Sequence, residues 1–161
     1  MEKMEEFINW LKENGWKINI KSNNVEYLLK NIMEKYKIPK EYKTFLENIQ
    51  MCTNAEENIW FLCIEDYQPK SEDDFRWNEF ELISLEAAEG DEELINDIKN
   101  FWDTHLPIML NVKGDYEYYA INVRNKKIIH GIEPEFEESS KIVANNFIDF
   151  LDKIMKNEIE L

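Results

Sequence analysis

Residues 106–138 read LPIMLNVKGDYEYYAINVRNKKIIHGIEPEFEE, and the fold turns on how that stretch is read. Pro107–Val112 is an apolar run of strand length, closed by Lys113-Gly114-Asp115, where glycine admits a turn without steric cost. Tyr119, Ile121 and Val123 alternate with Tyr118, Ala120 and Asn122, the period of a second strand. After the polar Arg124–Lys127 turn, Ile128, His130 and Ile132 alternate with Ile129, Gly131 and Glu133 in a third. Connections this short require antiparallel neighbours, because parallel strands need long crossovers. The stretch therefore predicts a three-strand meander over about 107–133. Pro134 cannot donate to a ladder and ends it, and Glu135, Glu137 and Glu138 follow in an exposed exit loop.

Working toward the N-terminus, helical spacing dominates. Met4, Phe7, Ile8 and Leu11 form one apolar stripe, which Asn14-Gly15 terminates. Trp16–Ile20 is a linker or an edge strand. Asn23, with Glu26 three residues on, has the pattern of a capping box for a helix carrying Val25, Leu28, Leu29, Ile32, Met33 and Tyr36. That helix ends before Pro39, which sits in the first turn of the next, with Tyr42, Phe45, Leu46 and Ile49 inward. After Gln50 the chain passes through Cys52-Thr53-Asn54-Ala55 and two glutamates into Asn58–Ile64, which reads as a strand. Residues 65–78 are acidic and aperiodic and form a loop, in which Phe75 and Trp77 either pin the loop to the body or face a partner. Phe80–Leu85 alternates weakly, as a short strand would. Asp91-Glu92-Glu93 suit a helix N-terminus, followed by Leu94, Ile95, Ile98, Phe101 and Trp102 on one face. Beyond the meander, Ile142, Val143, Phe147, Phe150, Leu151 and Ile154 define a closing amphipathic helix. The expected fold is α+β: one domain over 1–161, with N-terminal helices and a C-terminal helix packed on a largely antiparallel sheet.

Composition narrows the function classes. At 161 residues with 43% apolar and 13% aromatic content, the chain can bury a real core despite 33% charge. No apolar run approaches the roughly 20 residues of a membrane span. The N-terminal MEKMEEFINW is acidic, unlike a signal peptide, so a cytoplasmic location is expected. The net charge of −15 argues against binding nucleic acid through phosphates, which needs a basic footprint, and favours a cationic protein partner. The charge is uneven: residues 65–93 hold twelve acids against Lys70 and Arg76. That segment is either a solvated face or a docking surface.

Motifs for chemistry are missing. There is no GxGxxG, phosphate loop, GxS turn or HExxH. His105 and His130 stand in different elements without a ligand pattern. Cys52 and Cys63 match no zinc or redox spacing and are expected to be reduced and structural. A hard-cation site at Glu133, Glu135 and Glu137 is weaker than reading them as solvated acids. No metal, cofactor or catalysis is expected.

Ile38–Leu46 (IPKEYKTFL), Leu106-Pro107-Ile108, Gly114-Asp115-Tyr116, Gly131–Glu138 and Ala144–Leu151 (ANNFIDFL) together, in this order over about 25–155, resemble the SUKH superfamily. That group is named for the yeast cell-wall glucan-synthesis regulator and its bacterial relatives. One departure is Met51–Asn54, where many relatives carry an Asn-Gly-type turn. The resemblance implies helices against a central antiparallel sheet. For function it implies a bacterial immunity protein that binds a toxin stoichiometrically, commonly a nuclease or deaminase, or alternatively a regulatory scaffold of cell-wall signalling. Joined to the residue reading, it makes Asp66, Asp73, Asp74, Trp77, Asp115, Tyr116, Tyr118, Glu133, Glu135 and Glu137 the candidate contacts to a basic partner.

Overall fold

The computed structural model of the chain describes residues 2–68, 74–132 and 137–161. Its centre is one seven-stranded sheet in which every strand pairs antiparallel with the next in sequence. The strands are β1 (Lys17–Ile20), β2 (Ile49–Thr53), β3 (Ile59–Phe61), β4 (His105–Asn111), β5 (Glu117–Asn122), β6 (Ile128–Ile132) and β7 (Lys141–Ala144). The expected meander is β4–β5–β6, and β1 resolves the choice at Trp16–Ile20 in favour of an edge strand.

Helices cover both sides. α1 (Glu2–Glu13), α2 (Val25–Leu28), α3 (Lys30–Lys35) and α4 (Lys40–Asn48) come before or within the first hairpin. α5 (Glu79–Ala87) and α6 (Glu92–Thr104) fill the long β3–β4 connection, and α7 (Phe147–Met155) closes the chain. Phe61 of β3 meets Phe7 of α1 and Phe45 of α4, each at 5.4 Å between ring centroids, and Phe150 of α7 at 6.1 Å. Adjacent residues of β5 point to opposite sides. Tyr119 packs on Phe150, whereas Tyr118 packs on Phe80 of α5 and Trp102 of α6. The sheet is therefore sandwiched between α1, α4 and α7 on one face and α5 and α6 on the other. Because both faces are covered, all of β4 after His105 is buried.

Several local expectations are corrected. Phe80–Leu85 is helix: Phe80, Ser84 and Ala88 are all nearly inaccessible, and their spacing of four is a helical stripe that the weak alternation concealed. Asn24, not Asn23, caps α2, accepting from the Tyr27 amide at 3.1 Å, and the expected continuous helix breaks at Leu29. Met51–Asn54 is largely strand: α4 passes directly into β2, and the turn falls at 54–58. There the Asn54 side chain accepts from the amides of Asn58 and Ile59 at 2.9 and 3.1 Å, with Glu57 at φ 58°. Ile142 and Val143 lie in β7, paired with β6. The closing helix starts only at Phe147, where Asn146 accepts from the Asp149 amide at 2.8 Å. Within the strand read as Asn58–Ile64, only Ile59–Phe61 is ladder, and Ile64–Tyr67 is a 3₁₀ turn.

Candidate interaction surface

The first residues to place are those that could carry chemistry, and each is used structurally. Burial pushes both thiols, Cys52 and Cys63, well above the ordinary thiol range, so they stay protonated, and they are unbridged. His105 stacks on Phe101 at 4.2 Å and its Nδ1 donates to the Phe101 carbonyl at 2.8 Å; burial lowers its pKa below the usual imidazole value. His130 stacks on Tyr119 at 4.6 Å with Nε2 2.8 Å from Glu117. Tyr42 and Tyr67 lie hydroxyl to hydroxyl at 2.7 Å in the core, with Leu62 and Pro107 carbonyls each 2.6 Å away. Two protons serve these three contacts, tying α4 and the 3₁₀ turn to β4, and burial raises both phenols so that neither ionises.

The candidate contacts to a partner separate into two groups. Phe75 of the acidic loop is the junction of the first. Its ring meets Trp60 of β3 at 5.8 Å, Phe80 at 6.1 Å and Tyr116 of the β4–β5 turn at 5.8 Å. That cluster draws Asp74 and Asp115, neighbours in sequence of Phe75 and Tyr116, to one surface. Both aspartates and Tyr116 are exposed. Asp66 borders the same surface: with Met51, Glu57, Trp60 and Phe75 it lines a shallow depression of about 290 Å³. Its carboxylate also accepts from the Cys63 amide at 2.8 Å, closing the 3₁₀ turn, so its position is fixed rather than loose. An apolar floor of Met51, Trp60, Phe75 and Tyr116 is thus bordered by Asp66, and the exposed Asp74 and Asp115 adjoin Phe75 and Tyr116 in sequence. Trp60 and Met51 were not among the sequence candidates. Their signal was in the register: Thr53 pairs with Trp60, and Met51, two residues before Thr53, points to the same face as Trp60.

In the second group, Tyr118 and Glu137 are buried in the free protein. Tyr118 is a correction: it is 1% exposed, held between Phe80 and Trp102. The strand period that made it prominent turned it inward, because α5 and α6 cover that face. Glu137 is another: it is 7% exposed and accepts from Trp102 Nε1 at 3.1 Å. Trp77 packs on Tyr36 at 6.2 Å and Tyr67 at 5.7 Å, so it pins the loop to the body, as Phe75 does from its side. Asp73, Glu133 and Glu135 lie outside the described residues, and with them the expected cation site.

The comparisons with known proteins bear on this architecture directly. The family model described as the SMI1 / KNR4 family (SUKH-1) matches residues 20–153. No curated protein matches the chain. The matched span runs from the end of β1 into α7 and so takes in the whole sheet beyond the first edge strand. The chain belongs to the SMI1 / KNR4 (SUKH-1) family.

Proposed function

We propose that this protein is a non-catalytic immunity protein that neutralises a basic toxin domain, of nuclease or deaminase type, by stoichiometric binding. The observation that carries the reading is the surface where Trp60, Phe75 and Tyr116 form an aromatic floor bordered by Asp66, with the exposed Asp74 and Asp115 adjoining Phe75 and Tyr116 in sequence. A cationic protein is drawn to such acids by long-range attraction, on a chain whose net charge of −15 adds to the field. The aromatic floor supplies the desolvated contacts in which binding energy concentrates. Fixed carboxylates suit this task, since Asp66 is already oriented by the Cys63 amide before any partner arrives.

The test is kinetic. Asp74→Lys combined with Asp115→Lys changes two exposed side chains and leaves the floor intact. With a basic nuclease- or deaminase-type toxin domain that the parent protein neutralises, the double variant is expected to associate about tenfold more slowly at low salt. An unchanged association rate would remove this surface from the interface. The family is also named for a cell-wall regulator, and a scaffold of that kind would instead bind several partners weakly and inhibit none.

A further inference from the structure

A second surface has the opposite chemistry. The end of α3, the 36–39 segment, the start of α4, the end of α6 and the β5–β6 turn enclose an open cleft of about 880 Å³. Lys35, Lys37, Lys40, Lys43, Arg124 and Lys126 line it, against the single acid Asp103. The chain has 34 acids and 19 Lys or Arg, so a six-to-one basic excess in one cleft runs against the composition of everything around it. Two of the cations are already neutralised: Lys35 lies 3.4 Å from Asp103 and Lys43 lies 2.7 Å from Glu26. Lys37, Lys40, Arg124 and Lys126 are exposed and make no ion pair among the described residues. Holding four like charges together unpaired costs free energy through mutual repulsion, and an anion in the cleft would recover it.

The floor of the cleft identifies the kind of anion. Met33, Ile38, Pro39 and Val123 are apolar, and Ile38 and Pro39 are buried. We propose that this cleft docks a short acidic segment of a partner protein, one in which Asp or Glu alternates with apolar side chains. Five of the six cations are lysines, point charges on flexible stems, which suit carboxylates spaced along a peptide better than one planar or phosphoryl group. A long polyanion is disfavoured, because outside the cleft it meets a molecule of net charge −15. The site is independent of the acidic surface. Val123 and Arg124 follow the last residue of β5 and Tyr116 precedes its first, so the two surfaces lie at opposite ends of a six-residue strand, roughly 17 Å long.

The probe is a short peptide of Asp, Glu, Leu and Phe, titrated into isotope-labelled full-length protein and followed by amide chemical shifts. Shifts are expected to centre on Lys37, Lys40, Val123, Arg124 and Lys126 and to shrink with salt. Lys37→Glu with Lys40→Glu, or Arg124→Glu with Lys126→Glu, is expected to weaken binding at least about tenfold. These positions are exposed, and an unchanged melting temperature separates lost binding from lost folding. Asp74→Lys with Asp115→Lys, at the other end of the sheet, is expected to leave peptide binding intact, so this site and the toxin-binding surface stand or fall separately. Shifts scattered over the molecule, or none, would overturn the site. Inorganic triphosphate or a single-stranded oligonucleotide binding as tightly as the peptide would overturn its assignment to a protein segment, as would self-association abolished by the same variants.

Discussion

Gly131 offers the sharpest test of how the sheet and the α5–α6 layer fit together. It pairs with Tyr118 across β5 and β6, and a β-carbon placed on it would sit well inside contact distance of the Tyr118 ring carbons and hydroxyl oxygen. Its backbone is not in the left-handed region, so the constraint is space alone. Tyr118 has little freedom to move aside, since Phe80 lies 5.1 Å and Trp102 4.9 Å from its ring, and Trp102 is held in turn by Glu137. Gly131→Ala therefore forces a ring or a strand to shift in a filled interior, a cost of about 2–3 kcal/mol for overpacking. In a domain of this length that lowers the melting temperature by roughly 4–12 °C. Chemical denaturation of the single variants and the double variant Gly131→Ala/Tyr118→Ala completes the test. Tyr118→Ala alone is expected to cost about 3–5 kcal/mol through the cavity it leaves. The new methyl then occupies part of that cavity, so the double variant is expected to be more stable than the sum of the singles by about 2 kcal/mol. Strict additivity would show that Gly131 and Tyr118 do not share this space, and would refute the packing derived for that face.

Three other perturbations follow from the same structure. Among the described residues the Tyr118 hydroxyl is buried without a hydrogen-bond partner, so Tyr118→Phe is expected to be neutral or stabilising by up to about 1 kcal/mol; a loss beyond that in denaturant titration would reveal a partner for the hydroxyl. Trp77→Ala is expected to destabilise the free protein by about 2 kcal/mol, because the half-buried ring holds the acidic loop against Tyr36 and Tyr67; an unchanged melting temperature would free Trp77 for a purely binding role. Desolvation raises the Glu81 carboxyl above its ordinary 4.5, so folding loses stability as pH climbs from the unfolded-state value through the folded one. Glu81→Gln is therefore expected to match the parent below about pH 4 and exceed it at neutral pH, and the same difference at both pH values would contradict that origin.

The meander was legible because its period, its Gly114-Asp115 turn and Pro134 all pointed the same way. The helices α1, α4, α6 and α7 were legible for a similar reason, each carrying a four-step apolar stripe. What escaped were the places where two signals competed. In α5 the sequence Phe80-Glu81-Leu82-Ile83-Ser84 alternates weakly, and only the buried spacing of Phe80, Ser84 and Ala88 reveals the helix. β2 was hidden because α4 runs into it with no loop between, and β7 because its outward Ile142, 59% exposed, looks like the apolar start of a helix.

The candidate surface was legible in composition but not in orientation. Asp66, Asp74, Asp115 and Tyr116 were found as acids and an aromatic beside turns, and the Phe75 cluster then unites them. Tyr118 and Glu137 carry the same residue chemistry but lie beneath α5 and α6, and nothing local to their sequence records which layer covers them. The basic cleft was invisible for a related reason. Lys37, Lys40, Arg124 and Lys126 are scattered over ninety positions of an acidic chain, and only the approach of the β5–β6 turn to the start of α4 makes them one site.

The most direct test of the central claim is a calorimetric titration of the full chain against a panel of basic nuclease- and deaminase-type toxin domains, at low and at high salt. The expected result is one-to-one binding of a panel member in the nanomolar range, about −12 kcal/mol, that weakens as salt screens Asp66, Asp74 and Asp115. The absence of binding to every member at either salt would contradict the immunity reading and favour a scaffold with other partners.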